Sequence, residues 1–515
     1  MTDHIHATAL LFLKDFTAPS ADRYFIHNGE SLREVSAQEL VEAQGLIITH
    51  DYGLIASTLQ SRSGELPKNV IDVIDFYKSA CSLTQNDGSN SRVTIEELLQ
   101  SPPSEFDATK YIEIFYRRSE FDQITYENAG AALLKLWTRL VTEAKENDEL
   151  DRYMQVEAPI FNLIWSSMSH GIHIDRERLH AHKVAARDEF YLTLRDFSID
   201  FSLPIEIPSR KTIERELGSR GFDITEGTRD YILDFLPMPD DFGSRLGALL
   251  RIHRSLNALN QLSATKAVAF PLADVAGTRT SRIILKAPSL QNIAKKHRNV
   301  IAAREGKQLY YVDYCQFEPG IMAAISNDAE IIKLFETGDL YSEVSKAVFG
   351  SDAFRKVSKQ LFLSYSYGMS LKKVADAASA HGADRKTASE FFRLFSTFEA
   401  WKGQIIDQYQ RSGKIGTAFG NYARRSAQGE LSNKERRSCV SQVIQGTGSL
   451  IFKKSLIAMH KEHGIAPLIP MHDAILFEAS DPRVADHAAR TMERVFGEHF
   501  DGRLKGRAEI SSFAE

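Results

Sequence analysis

A chain of 515 residues exceeds what one hydrophobic core organises, so several domains are expected. Apolar residues at 43% and charged residues at 25% describe an ordinary globular protein, and no apolar run is long enough to span a bilayer. The acidic start lacks a secretory cleavage pattern, three widely spaced cysteines (Cys81, Cys315, Cys439) argue against a disulfide framework and for a cytoplasmic setting, and a net charge of −5 gives no overall attraction for polyanions.

In chain order, residues 1 to about 145 mix short apolar runs (Leu10–Leu13, Leu46–Thr49, Val70–Phe76) with helical periodicity in AGAALLKLWTRLV, which predicts a small α/β domain. From about 150 to 265 the pattern is mainly helical. Gly171 predicts a helix stop, His173–Asp175 a turn, and Pro204 with Pro208 a break before the amphipathic helix RLGALLRIHRSLNALNQL. Beyond about 275 strands and helices alternate. Leu309–Val312 reads as a strand ending at Asp313, followed by a helix from about Glu318–Pro319, since proline is tolerated in a first helical turn. Leu468–Met471 and Ala474–Phe477 read as paired strands with His472 and Asp473 at the tip, and a mostly helical block lies between the two aspartates.

An aspartate at the end of a buried strand costs desolvation unless it is paired or binds a cation. A helix cap and a turn residue would each explain one of these aspartates alone. The charge distribution favours more. From Arg279 to Lys307 stand eight basic residues against Glu305, and a second basic stretch runs from Arg411 to Arg437. Two such clusters around carboxylate-bearing strands suggest a cleft that tracks phosphates.

The segment DYCQFEPGIMAAISND resembles the first polymerase motif of family A DNA polymerases, the bacterial polymerase I group, with consensus DYSQIELR. RKVSKQLFLSYSYGMS is similar to the second motif and MHDAILFE to the third, usually VHDE. GTRTSRIILKAPSLQNIA resembles the GRLSS…PNLQNIP segment, and ERRSCVSQVIQGTGSLIFK the ER-A-N-IQGTAADI helix. Five motifs in one order across residues 277–478 are a specific signature. The resemblance implies a multidomain α/β right-hand polymerase: a thumb over 149–275, a palm over 276–328 and 426–515, and fingers over 329–425. It also implies an N-terminal ribonuclease H-like domain of the 3′–5′ exonuclease type over 1–148, with no 5′-nuclease domain.

Further implications concern residues. Asp313 and Asp473, with the backbone carbonyl of Tyr314, would hold two Mg2+ ions, Mn2+ substituting, because hard oxygens converge from different strands. Arg355, Lys359, Leu363 and Tyr367 recur every fourth residue, each step turning about 40° on a helix, and so form one stripe. Arg355 and Lys359 would grip the triphosphate, Lys359 protonating pyrophosphate, with Gln316 also at the nucleotide and Tyr367 at the template junction. Glu318 occupies the position of the steric gate against a ribose 2′-hydroxyl, which favours deoxynucleotides over the ribonucleotides of single-subunit RNA polymerases. Arg279, Gln291, Asn292, Arg437, Gln445 and His472 would contact primer-template DNA. Three residues depart from the family: Leu363 replaces an aromatic, Ser441 an asparagine and Ala474 a glutamate. The expected protein is a monomer that adds dNTPs to a primer. An RNA polymerase or reverse transcriptase on the same palm is the alternative, and a scaffold with a dead palm is disfavoured by the joint presence of Asp313, Lys359 and Asp473.

The exonuclease motifs are degenerate. Asp15 is followed by Thr17 where a glutamate belongs, Ile55 stands in the second aspartate's place, and Asn128 and Ile124 replace the third motif's aspartate and tyrosine. A fold without the activity is expected, although a shifted register would let Asp51 or Asp122 contribute to a site.

Overall fold

The computed structural model describes residues 7–15, 17–18, 21–81, 93–100, 106–222, 240–425 and 427–514. The N-terminal apolar runs build one five-stranded sheet in the order Leu32–Val35, Arg23–His27, Ala7–Leu13, Leu46–Thr49, Val70–Asp72. Its first three strands pair antiparallel and the remaining pairings are parallel. Ala9–Leu13 are buried, as expected of a central strand covered on both faces. The run Val70–Phe76 splits between strand and helix, because the Asp72 side chain accepts from the Ile74 and Asp75 amides and starts a helical turn at Val73. The Gln123–Glu146 helix carries the AGAALLKLWTRLV pattern and packs on this sheet.

The following region is helical, as the periodicity predicts, with helices Ala158–Ser169, Arg176–Asp200, Arg210–Ser219 and Phe242–Asn260. The turn expected at His173–Asp175 is corrected: His173 lies in a strand, Ile172–Ile174, paired with Val268–Ala269 and Ile301–Ala302. Gly171, at φ +70°, makes the turn one residue before that strand, where a Cβ would collide with the Val268 side chain. Ile172 and Ile174 then point inward, and Asp175 caps the next helix.

The sheet that positions the site has four antiparallel strands in the order Ile469–Pro470, Ala474–Ala479, Gln308–Tyr314, Ala508–Ser511. The Arg483–His499 helix packs on it, and the 31-residue helix Asn433–His463 packs on that helix. Ser432 and Glu435 close a reciprocal cap at the start of the long helix. Its glycines allow close approach: a Cβ on Gly448 would lie 3.2 Å from Ile321 and Phe317. Between the helix Phe317–Ser326, which follows the strand of Asp313, and the long helix run six more α-helices, Ala329–Glu336, Leu340–Phe349, Arg355–Ser366, Leu371–Ala380, Arg385–Arg393 and Ser396–Ser412. Their core is aromatic, with Phe362, Tyr365, Phe392, Phe395 and Phe398 in mutual contact. Among the described residues no helix is long and apolar enough to cross a membrane.

Candidate active site

Asp313 is the penultimate residue of its strand, with Ala474 directly opposite on one neighbour and Glu509 on the other. Directly opposed residues project to the same face of a sheet, and successive residues to opposite faces. Tyr314 accordingly turns inward, where its hydroxyl donates to the Met492 carbonyl at 2.7 Å and its ring stacks on Phe317 at 4.2 Å. That leaves Asp313 on the open face. The Tyr314 amide donates to the Asp473 carbonyl at 3.0 Å, which fixes the hairpin tip beside the strand end.

The Arg355–Ser366 helix faces these carboxylates. Ser358, Leu361, Phe362 and Tyr365 are buried, so Arg355, Lys359 and Leu363 are left toward a cavity of about 560 Å³. Asp313, Asp473, Glu509, Glu318, Asp339 and Tyr341 also line it. Arg355 grips Asp339 through two nitrogens, at 2.5 and 3.2 Å, and Lys359 Nζ lies 5.5 Å from the centre of the Tyr341 ring. A second cleft, about 1400 Å³, meets the first at Leu363; Tyr367 and the basic side chains Lys372, Lys434, Arg436 and Arg437 line it.

The electrostatics set the two aspartates apart. Burial, then Asp473, then Glu509 push the Asp313 carboxyl up to about 7, although Lys359 opposes them. Burial also raises Asp473, with Arg282 and Lys359 pulling the other way. Burial and the Arg282 charge lower His472, which favours its neutral form. Asp313 Oδ1 is buried and has no hydrogen-bond partner. An orphaned carboxylate oxygen beside a second carboxylate suits a hard cation. Among the described residues no three His, Cys, Asp or Glu side chains are grouped to hold a metal ion, so a cation beside the two aspartates would draw further oxygens from the backbone or from substrate.

The other expected residues fall into two groups. Tyr367 caps the helix; its hydroxyl donates to Glu318 Oε2 at 2.6 Å, and it also bonds the Gln445 side chain. Arg437 packs beside Gly368, and Arg279 bonds Ser438, one helix step away. Arg437, Ser441 and Gln445 stand at four-residue spacing on the long helix, which meets the Arg355–Tyr367 stripe at Tyr367 and Gly368. Gln291 and Gln316 use their amides within the chain. Gln291 braces Ile283, Leu285 and Pro470, and Gln316 bridges Gly338 and Leu340 from a left-handed backbone position at φ +50°. Asn292 closes the short Leu290–Asn292 turn beside that brace. No sequence motif marks Glu509, Asp339 or Arg282 individually as site residues. Only the pairing of the C-terminal strand sets Glu509 opposite Asp313, and in the sequence Arg282 is one member of a basic cluster.

In the N-terminal sheet, Asp15 accepts from the Thr17 and Ala18 amides, at 2.9 Å each, and from the Thr17 hydroxyl at 2.7 Å. Ile55 is 0% exposed and Ile124 71% exposed. Asp51 accepts from the Tyr116 hydroxyl at 2.9 Å, and Asp122 is bound by Lys110 and Thr125.

Carboxylates on adjacent strands facing a basic helix across one cavity make a site suited to a phosphate-bearing substrate. The model of DNA polymerase family A matches residues 251–510, just over half of the 515-residue chain, and the chain belongs to that family. It is 25% identical to the thermostable DNA polymerase I of Thermus aquaticus over 422 residues, which is 70% of this chain and 48% of that protein. It is 29% identical to DNA polymerase theta of Caenorhabditis elegans over 223 residues, 40% of this chain and 14% of the other. The chain thus spans about half or less of these relatives' length. The fold matches the POL domain of Pol1 from M. smegmatis, solved in complex with DNA primer-template and dNTP. The TM-score is 0.73 at 18% identity, covering 98% of this chain and 94% of that one.

Proposed function

We propose that the protein is a template-directed DNA polymerase that adds deoxynucleotides to a primer 3′ end. The observation that carries this reading is the opposition of Asp313, at a strand end, and Asp473, at the adjoining hairpin tip, to Lys359 and Arg355 across one cavity, in a chain of family A. Mg2+, or Mn2+ in its place, would be held by the two aspartates and the Tyr314 carbonyl. When bound, such a pair of ions lowers the pKa of an attacking hydroxyl and neutralises charge on the transferring phosphate. Arg355 and Lys359 would take the triphosphate, Arg355 exchanging Asp339 for phosphate oxygens, and Lys359 would give a proton to the leaving pyrophosphate. Glu318 would exclude a ribose 2′-hydroxyl. The basic second cleft fits a DNA backbone, with Arg279, Asn292, Arg437, Gln445 and His472 near the primer-template junction.

The four-stranded sheet and its helices (276–328 and 426–515) would be the palm, the helical block 329–425 the fingers, and 149–275 the thumb. The strand order and directions of the first sheet support a ribonuclease H-like domain over 1–148, and Ile55 in its core supports loss of exonuclease chemistry there.

Primer extension tests the proposal directly. Wild-type protein should extend a DNA primer on a DNA template with dNTPs in Mg2+ and prefer them to ribonucleotides, and Asp473→Ala should reduce extension at least about a thousandfold. Extension by that variant at the wild-type rate would sink the assignment. Preference for ribonucleotides or for an RNA template would move the protein to the alternative class.

A further inference from the structure

Arg282 does not line the cavity itself but pairs with Glu318, which does, and the polymerase reading leaves it without a task. Its Nη2 donates to Glu318 Oε1 at 2.9 Å, while the Tyr367 hydroxyl donates to Glu318 Oε2 at 2.6 Å. Both oxygens of the carboxylate are therefore engaged, each by a donor from a different part of the chain. Arg282 and Glu318 are each only 24% exposed, so the pair is less screened than a surface ion pair.

The approach of Arg282 is built in from below. The preceding residue, Ser281, holds a left-handed backbone at φ +59°, a conformation that persists in a non-glycine residue only where its surroundings over-determine it. Here they do. The Ser281 hydroxyl donates to Glu157 Oε1 at 2.9 Å and accepts from Lys453 Nζ at 2.8 Å. Its carbonyl accepts from the Ser449 hydroxyl at 2.5 Å, and the Arg282 amide is held by Thr278 Oγ1 at 3.0 Å. Glu157 and Lys453 are 2% and 1% exposed. This is a rigid turn with a buried ionic footing, and it aims one guanidinium at one carboxylate.

We propose that Arg282 is a specificity-determining residue, which clamps Glu318 between itself and Tyr367 so that the carboxylate stands immovable against the sugar of the incoming nucleotide. The inference rests on the polymerase reading and on Glu318 as the sugar gate. A glutamate anchored through one oxygen still swings about that bond and can yield to, or accept from, a 2′-hydroxyl. Anchored through both, it cannot swing aside to yield without losing a charge-assisted hydrogen bond. The demand on Glu318 is raised by Leu363, which lines the same cavity and offers the sugar no flat ring. Arg282 also acts on Asp473, but that effect is common to deoxy- and ribonucleotides and cancels in their ratio.

The test is single-nucleotide insertion by the full chain, comparing kcat/KM for a dNTP and its matching rNTP in wild type, Glu318→Ala, Arg282→Met, Arg282→Lys and the Glu318→Ala/Arg282→Met double variant. Arg282→Met should lower the deoxy-to-ribo ratio about tenfold, the effect of one charge-assisted hydrogen bond, chiefly by accepting the rNTP. Arg282→Lys, which keeps the charge, should restore part of the ratio, and the double variant should discriminate no worse than Glu318→Ala alone. A wild-type ratio in Arg282→Met and Arg282→Lys, while Glu318→Ala has lost discrimination, overturns the clamp and leaves the gate standing. A wild-type ratio in Glu318→Ala overturns the gate and the clamp together. Should Arg282→Met not fold, the lysine variant decides: a ratio unchanged from wild type and additive with Glu318→Ala overturns the proposal.

Discussion

A carboxyl pushed up to about 7 makes Asp313 a proton-binding group over a range in which the unfolded chain leaves it ionised. Its ordinary value is 3.8, so between about pH 4 and pH 7 the native state holds the extra proton and stability falls as pH rises. Above that window the native protein carries the whole burden of a buried anion beside Asp473 and Glu509. The Asp313→Asn variant has nothing to ionise at this position. In protein stripped of divalent ions with EDTA, its melting temperature should therefore gain on that of wild type from pH 5 to pH 8, and added Mg2+ should raise the wild-type value at pH 8 more than the variant's. Thermal melts at both pH values check this. A gap in melting temperature between Asp313→Asn and wild type that is the same at pH 5 and pH 8 would show that the aspartate is not perturbed. Cys315, raised to about 11 by burial and next by Glu509, remains a thiol throughout and does not confuse the titration.

The elements around the site are tied together by charges that the sequence presents as ordinary surface residues. On the long helix, Lys453 Nζ donates to Glu157 Oε2 at 2.6 Å; Glu157 also pairs with Arg152, which donates to Glu149 at 2.7 Å. Glu149 in turn accepts from the Asn421 and Tyr422 amides, at 2.9 and 2.7 Å, in the hairpin Lys414–Thr417/Gly420–Arg424. Burial opposes ionisation of Glu157, but Lys453 and Arg152 outweigh it and hold it below its usual value. Removing one member strands its partner without solvent, so Lys453→Met should cost about 3–5 kcal/mol in urea unfolding. A loss under about 1 kcal/mol would mean the network is as weak as an exposed pair. None of this network is legible in the sequence, because nothing local marks Glu157 or Lys453 as buried. The Arg355–Tyr367 stripe and the hairpin carrying Asp473 were legible, since a helical period and an apolar strand pair are local signals. Glu509 was not: its strand, Ala508–Ser511, is four largely exposed residues, and only pairing with Gln308–Tyr314 sets it opposite Asp313. Ile172–Ile174 escaped for the same reason, being three residues long.

At the scale of the whole molecule, two sheets each bring carboxylates to a strand end, and they differ in what those carboxylates do. In the sheet of Asp313 an oxygen is buried without a partner, and basic side chains face it across a cavity. In the N-terminal sheet Asp15 is spent on its own turn, where the Thr17 hydroxyl and two amides hold it at about 2, so it remains ionised and bonded without a cation. Asp122 is likewise held at about 2 by Lys110 and Thr125, and Asp51 is occupied by Tyr116. The position that resembles the second exonuclease aspartate is Ile55, whose side chain belongs to the core, so a single restored carboxylate there would be buried without water or partner. Hydrolysis of a primer end needs cations held by several converging carboxylates, and these residues are committed elsewhere. A 5′-labelled primer with a mismatched 3′ end, incubated with the full chain, Mg2+ and no nucleotides, should therefore keep its length while the same preparation extends a matched primer once dNTPs are added. Shortening that disappears in Asp15→Ala but persists in Asp473→Ala would instead place a working nuclease in the first sheet.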